Sequence, residues 1–472
     1  MTSLHPSSTT LDAGTVQELR ESVRGACFAP GDPGYDDART IWNAMFDDRF
    51  PALVVQCAGV ADVVRAVQFA RSEGLEIAVR GGGHSIPGFS SSDGGIVIDL
   101  GPMKGVRVDP RARRATAQAG LQWNELDHET QAFGLATTGG LVSTTGVAGF
   151  TLGGGIGHLV RSQGLSCDRL LGADLVTADG RVVRAGMGSD EESELLWALK
   201  GGGGNFGIVT SLDFQLAPVG PTVYGGAAFF GPDQLREILV RVRDMMDAGM
   251  PEELTLLVNM TTAPPAPFLP EAMHGHPGIA VLACWSGPLE EGEAQLAPIR
   301  DLGPGVDLLG PIPYVALQSL LDPLLEKGAR NYMKAGYLPE LSDAVIDLLA
   351  AGHADRPAPQ CELHIHTMGG AASRVPADAS AFPHRAAPYV VNFMSRWTDP
   401  AQDEECLEWG RNVYGSLEEY TTGGAYINFL GEEGPDRVRA AYGEDTYARL
   451  AAVKAQYDPD NVFHRNQNVV PA

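Results

Sequence analysis

Basic residues are scarce in this chain. Among 472 residues, 34 Lys and Arg stand against 59 Asp and Glu, a formal net charge of −25 at pH 7. The summed field repels polyanions and no Lys/Arg cluster runs against it, which argues against nucleic acid or an anionic membrane surface as a partner. Cysteine is sparse as well: Cys27, Cys57, Cys167, Cys284, Cys361 and Cys406 lie far apart, with no CxxC pair and no spacing of a disulfide scaffold or zinc site. No segment approaches the ~18 consecutive apolar residues of a membrane span. Residues Met1 to Gly14 are polar and turn-rich, without the basic and apolar regions of a secretory signal. The sequence also lacks a G-x-x-x-x-G-K-[ST] loop and a G-x-S-x-G elbow, the marks of P-loop NTPases and α/β-hydrolases. A soluble, cytoplasmic protein with reduced thiols, monomeric or homodimeric, is expected.

Glycine is abundant. Its 58 residues are about 12% of the chain, against roughly 7% in an ordinary globular protein, with no collagen period or Gly/Ser tract to account for them. With 44% hydrophobic residues, sizeable cores in two or three domains are expected. The glycines concentrate at Gly81 to Gly83, across Gly139 to Gly157, and at Gly201 to Gly207, each where a strand or helix ends. Residues without Cβ reach positive φ and let the backbone approach a ligand closely. Tight turns explain any one cluster; three together point to a large, polar, phosphorylated ligand lying along peptide N–H groups.

Hydrophobic spacing predicts helices over 15–23 and 62–73, then strands over 75–79, 96–100 and 105–108. Helices and strands alternate to Leu216, the pattern of an α+β or α/β domain. From Val219 the texture changes: Pro-rich turns punctuate strands at 254–260 and 279–285, and a second domain is expected to begin. The stretch 426–472 reads as a short strand, helices over 435–441 and 447–456, and a coil rich in Asn and Asp. The expected division is 1–218, 219–425 and 426–472, the last returning to the first.

Gly202-Gly-Gly204-Asn-Phe-Gly207 fits G-x-G-x-x-G, but a helical run precedes it and a strand-like run follows, the reverse of a dinucleotide fingerprint. In Glu362-Leu-His364-Ile-His366, period two puts one carboxylate and two imidazoles on one strand face. A metal pair, a polar cavity wall and a solvated sheet surface all fit that pattern, though zinc wants a third or fourth ligand. His128, His158 and His384 read as structural or exposed.

Arg80-Gly-Gly-Gly-His84-Ser85, followed by Gly94-Gly-Ile-Val-Ile-Asp-Leu100, resembles the flavin-attachment loop of the vanillyl-alcohol-oxidase superfamily of FAD-linked oxidases. Gly146-Val-Ala-Gly-Phe-Thr-Leu-Gly-Gly-Gly-Ile-Gly157, Leu165-Ser-Cys-Asp168, Trp197-Ala-Leu-Lys-Gly-Gly-Gly-Gly-Asn-Phe-Gly207 and Tyr457-Asp-Pro-Asp-Asn-Val-Phe-His-Arg-Asn-Gln-Asn468 narrow the resemblance to the berberine-bridge-enzyme-like group. The match keeps one order from about Phe50 to the C-terminus. Its flavour is that of the bacterial secondary-metabolite branch, which includes a flavin oxygenase of the enterocin pathway.

The resemblance implies an α+β fold with a two-part PCMH-type FAD domain and a substrate domain whose antiparallel sheet, covered by helices, roofs the flavin. It implies that backbone N–H groups of Gly81, Gly82, Gly83 and Ser85 cradle the FAD pyrophosphate and that His84 carries the flavin covalently through its 8α-methyl group. A neutral imidazole is a competent nucleophile for that bond. Relatives with a second link use a cysteine where this chain has Val142, so attachment through His84 alone is expected. Arg80, Gly146, Gly149, Gly153, Gly154, Gly157, Asn428, Asn461, Asn466 and Asn468 fall at cofactor-contacting positions. Thr145 falls at the position that gates O2.

Many relatives use the second tyrosine of a Tyr-x-Asn-Tyr strand as general base, but this chain reads Tyr426-Ile-Asn428-Phe429. Phenylalanine cannot take a proton. Glu362 is the first candidate in its place, as a carboxylate desolvated over a flavin and tuned upward in pKa, with Tyr332 and Tyr426 behind it. His364, His366, Phe429 and Phe150 are expected to line the substrate cavity, and no metal is expected. The implied activity is O2-dependent oxidation of a hydroxyl or polyketide-like carbon centre of a small molecule; a carbohydrate or amine oxidase and a non-catalytic flavin-binding protein are the alternatives.

Overall fold

A computed structural model describes residues 11–472; of the polar N-terminal stretch, residues 1–10 lie outside the described residues. The first sheet begins with β1 (Cys27–Phe28) and β2 (Leu53–Gln56), continues through helix α1 (Val60–Glu73) to β3 (Ile77–Arg80), and ends with β4 (Ile96–Asp99). Its order is β1-β2-β4-β3, with β4 parallel to both neighbours. That central position explains the unbroken Ile-Val-Ile run of β4, because a strand covered on both faces carries no polar alternation. Val63, Ala66, Val67 and Ala70 form the buried stripe of α1 at helical spacing. Gly74, at φ 65°, ends the helix in the left-handed region. The Gly81–Ser85 loop leaves the carboxyl end of β3, the edge where open parallel sheets bind ligands.

The second sheet is antiparallel. It combines β5 (Val106–Asp109), β6 (Arg114–Gln118), β7 (Leu170–Val176), β8 (Val182–Ala185) and β9 (Ile208–Gln215) in the order β5-β6-β9-β7-β8. Helix α2 (Val147–Leu152) sits between β6 and β7 in the chain, and α3 (Asp190–Leu199) runs into the Gly201–Gly207 loop before β9. One hydrophobic core runs through both sheets and takes in Leu430, Val438, Tyr442, Leu450, Phe463 and Val469 from the C-terminal segment.

A third, larger sheet contains β10 (Thr222–Phe230), β11 (Leu254–Thr262), β12 (Pro277–Trp285), β13 (Arg330–Leu338), β14 (Glu362–Thr367) and β15 (Tyr389–Trp397). These six are antiparallel in the order β10-β12-β11-β14-β15-β13, with two short strands, 306–307 and 310–313, on β10. Helices α4 (Leu235–Asp247), α5 (Gly292–Arg300), α6 (Asp343–Ala354) and α7 (Asp403–Leu417) cover one face. On β14, Leu363 and Ile365 enter that helix-covered core, each worth about 1.5–3 kcal/mol of burial. The period of two then sends Glu362, His364 and His366 to the opposite face, over the glycine loops. Two helices close the chain, α8 (Pro435–Tyr442) and α9 (Glu444–Tyr457).

The segment from Tyr426 to Phe429, expected as a strand, is a turn: Phe429 N–H donates to Tyr426 O at 2.9 Å. Among the described residues the alternation of Tyr, Ile, Asn and Phe pairs with no strand, and the i to i+3 hydrogen bond takes its place.

Candidate active site

A cavity lies between the three glycine clusters and the face of the large sheet opposite its helices. Its floor includes Gly81, Gly82, Gly83, Gly146, Gly149 and Gly153; its roof includes Leu257, Met333, His364, His366, Asn392 and Met394. Thr145, Ser85, Phe150, Asn428 and Phe429 also line it, as their sequence positions lead one to expect. Gly82 and Gly146 touch backbone to backbone. A Cβ on Gly82 would stand 2.3 Å from Gly146 N, and one on Gly146 would stand 2.4 Å from Gly82 N.

His84 stacks on Trp42, ring centroids 4.9 Å apart and 17° from coplanar. The Arg396 guanidinium lies 5.3 Å from the centroid of the same Trp42 ring. Burial, helped by the Arg396 charge, pulls the imidazole's pKa down to about 4, so it is neutral at physiological pH. Its Nε2 lies 3.1 Å from Thr144 Oγ1. Sequence reasoning missed both Trp42 and Arg396, which lie 42 residues before and 312 after the loop they adjoin.

Several expected cofactor contacts belong to the framework instead. Arg80 turns away from the main cavity: Nη2 donates to Arg39 O at 3.1 Å, Nη1 to Ala38 O, and Asp99 stands 3.8 Å away. It ties the glycine loop to the chain before β2. Gly154, at φ 117°, packs against Phe382 and Tyr426, and a Cβ on Gly157 would meet Gly139 O at 1.7 Å. Neither lines the cavity. Asn468 Oδ1 accepts from Lys454 Nζ at 3.2 Å, beneath the C-terminal coil, and Asn461 occupies a left-handed turn at φ 52°. Of the three terminal asparagines, Asn466 alone lines the cavity.

The expected bases are also rearranged. Tyr332 is on the wrong face of β13: its neighbours are Gly410 of α7 and the Arg411 guanidinium, 5.7 Å from its ring, whereas Met333 faces the cavity. Tyr332→Phe is therefore expected to leave turnover and its pH profile unchanged in a steady-state O2-consumption assay. The Tyr426 hydroxyl is buried and accepts from Gly155 N at 3.0 Å, Ile156 N at 3.2 Å and Asn428 Nδ2 at 2.8 Å. Desolvation pushes its pKa above the ordinary tyrosine value, so it secures the loop rather than taking a proton.

Glu362 stops short of the cavity, behind His364. Its carboxylate accepts from Thr261 Oγ1, from Asn259 Nδ2 at 3.2 Å and from His364 Nε2 at 3.1 Å. Burial pushes its pKa up, but these donors outweigh it and hold the carboxyl below its usual value, the reverse of the upward tuning expected. His364 and His366 are 8% and 5% exposed and, with Asn392, form a polar patch in a roof whose other members, Leu257, Met333 and Met394, are apolar. Burial lowers the His366 pKa to about 3, keeping it neutral. Among the described residues, no group of three or more His, Cys, Asp or Glu converges as a metal site would require.

The cavity suits FAD on two grounds. The Gly82–Gly146 contact, which tolerates no Cβ, brings two glycine loops together so that bare backbone lines the cavity floor. At one end, Ser90 Oγ and Asn466 Oδ1 belong to lining residues and are buried without a hydrogen-bond partner, so a polar ligand there satisfies them. Arg465, also unread from the sequence, lines the same end; its place in the Asn-rich coil gave no signal of charge recognition.

Residues 51–186 match the FAD binding domain family and residues 425–470 the berberine and berberine like family. The chain is 32% identical over 462 residues, 97% of each chain, to an FAD-linked oxidoreductase of Dictyostelium discoideum. It is 32% identical over 467 residues, 95% of this chain and 97% of the other, to (R)-6-hydroxynicotine oxidase of Paenarthrobacter nicotinovorans. The crystal structure of 6-hydroxy-D-nicotine oxidase from Arthrobacter nicotinovorans superposes with a TM-score of 0.85 at 29% identity, covering 96% of this chain and 99% of that one.

Proposed function

The chain belongs to the berberine-bridge-enzyme-like FAD-linked oxidoreductases, and within that family we propose that it uses O2 to oxidise a neutral, largely apolar small molecule at a carbon bearing a hydroxyl or an amine. One observation carries the substrate class. The roof and its surroundings are Leu141, Leu257, Leu321, Met333, Met394 and Phe429, with His364, His366 and Asn392 as the polar groups, and Arg465 at the far end is the only permanently charged side chain lining the cavity among the described residues. A sugar presents hydroxyls around its whole ring and would leave most of them unpaired against such a wall. A hydroxylated polyketide-like skeleton or a cyclic amine offers one polar centre and an apolar body. The similarity to a nicotine oxidase supports the amine case equally.

FAD supplies the two-electron acceptor that no side chain can provide. The residues that would hold it are Gly81 to Ser85, Gly146, Arg465 and Asn466, with His84 as the covalent anchor. If His84 Nε2–H donates to Thr144, Nδ1 keeps the lone pair that attachment needs. The apolar roof excludes water and orients the substrate C–H, and Thr145 leaves a small side chain where O2 must pass.

O2 consumption and peroxide release with a panel of benzylic alcohols, secondary alcohols on partly saturated polycyclic skeletons, cyclic amines, glucose and cellobiose test this reading. Turnover is expected with members of the first three classes. Turnover confined to the sugars overturns the substrate class, and bound flavin with no turnover on any class favours a flavin-storing protein.

A further inference from the structure

The family's tyrosine is Phe429 in this chain, Tyr426 and Tyr332 are engaged elsewhere, and Glu362 does not reach the cavity. The proton leaving the substrate's hydroxyl or amine still needs an acceptor. We propose that His364 takes it at Nδ1 and that Glu362 is the positioning residue that sets the imidazole's tautomer; this rests on the substrate class proposed above.

A carboxylate can only accept hydrogen bonds, so the 3.1 Å contact between Glu362 and His364 Nε2 places the ring proton on Nε2. The lone pair is then on Nδ1. Asn392 Nδ2 reaches Nδ1 at 3.3 Å, the long end of a hydrogen bond, while Asn392 Oδ1 is buried without a partner. His364 and Asn392 pair across β14 and β15 and both line the cavity. A donor entering from the cavity takes the single Nδ1 lone pair by displacing the long Asn392 Nδ2 contact, and the Asn392 carbonyl oxygen, which has no partner among the described residues, is a second acceptor on the same pair of residues.

The step balances. The substrate's O–H or N–H bond breaks and its proton passes to Nδ1. The electron pair left behind forms the second bond to carbon, and the departing C–H hydride would be taken up by FAD when bound, the two-electron acceptor. The resulting imidazolium faces Glu362, which Thr261 and Asn259 hold ionised from β11, as a carboxylate orients and stabilises the histidine of a hydrolase triad. The other titratable or charged groups bearing on the pair are His366 on the same strand, ring centroids 5.9 Å from His364, Arg396 on β15, and His353 and Arg356 at the end of α6. Arg356 and Arg396 act on Glu362 and further favour its ionised form.

The test uses 4-nitrophenol, a phenol that ionises near neutrality and turns yellow as the phenolate, titrated into the flavin-loaded enzyme across pH. Bound to wild type, it is expected to ionise about one to two pH units below its value in free solution, because its proton passes to His364 and the phenolate faces an imidazolium. His364→Ala is expected to lose the downward shift, and Glu362→Gln to show a smaller one than wild type. Retained flavin colour identifies folded variants, and His364→Gln serves if the alanine variant loses it. A merely structural role for His364 would weaken binding without moving the ionisation. Binding of the neutral phenol to wild type, or an unchanged shift in the His364 variants, overturns the assignment and leaves the substrate class standing. Failure of wild type to bind the phenol at all overturns the substrate class, and the inference with it.

Discussion

His84→Ala is expected to give a protein that binds FAD yet releases it on acid precipitation, leaving a colourless pellet and a yellow supernatant where wild type keeps its colour in the pellet. His84 stacks on Trp42 and contacts Thr144, so its ring occupies one fixed orientation. Burial and the Arg396 charge keep it unprotonated far below neutral pH, the state needed to form a carbon–nitrogen bond. Alanine removes the nucleophile and opens a gap against Trp42. With the ring free to shift by about an ångström relative to the roof, turnover is expected to fall on the order of 10²-fold. Acid precipitation measures the covalent link, and single-turnover reduction under anaerobic conditions measures the loss of positioning. A yellow pellet from the alanine variant, or a colourless one from wild type, would remove His84 as the attachment point.

How much of this site was legible in the sequence depends on whether a residue's partners are local. The His84 loop was legible because three glycine clusters recur in one domain with motifs in a fixed order around them, and the His364–His366 face because period two is a property of one strand. Tyr332 was not. Half-buried Tyr332 and buried Met333 sit on opposite faces of β13, and only the position of α7, some 80 residues later, decides which face meets the cavity. The same limit reversed the expectation for Glu362, whose donors Thr261 and Asn259 arrive on a strand about 100 residues earlier. Lys454, fully buried under the terminal coil, takes Asn468 away from the cofactor. The sheet order of the large roof, in which β14 and β15 insert between β11 and β13, is likewise set by tertiary pairing that no local pattern encodes.

Gly146→Ala is expected to cost the protein its flavin. Gly146 has φ −67° and ψ 131°, an extended conformation that alanine adopts freely, so backbone strain plays no part and the effect is steric alone. The new Cβ would lie 2.4 Å from Gly82 N and 2.9 Å from Gly82 Cα. Both are backbone atoms, and no side-chain rotation relieves the overlap. The loop before α2 is pinned on its far side, where Trp123 N–H donates to Thr145 O at 3.1 Å and Val147 N–H to Leu121 O at 2.9 Å. The strain therefore falls on the Gly81–Ser85 loop, which must move away and carry His84 with it. Overpacking of this kind costs about 1–3 kcal/mol or more, and flavin binding would normally offset part of that loss by mass action. With the cradle parted, that compensation goes too. Purified Gly146→Ala is expected to contain little flavin by absorbance and to unfold at a lower temperature than wild type, with no recovery on added FAD. Gly310→Ala, on an edge strand where a Cβ meets open space, is the matched control and is expected to keep full flavin content. Wild-type flavin content in Gly146→Ala would show that the two loops separate freely, and that their contact does not form the cofactor's cradle.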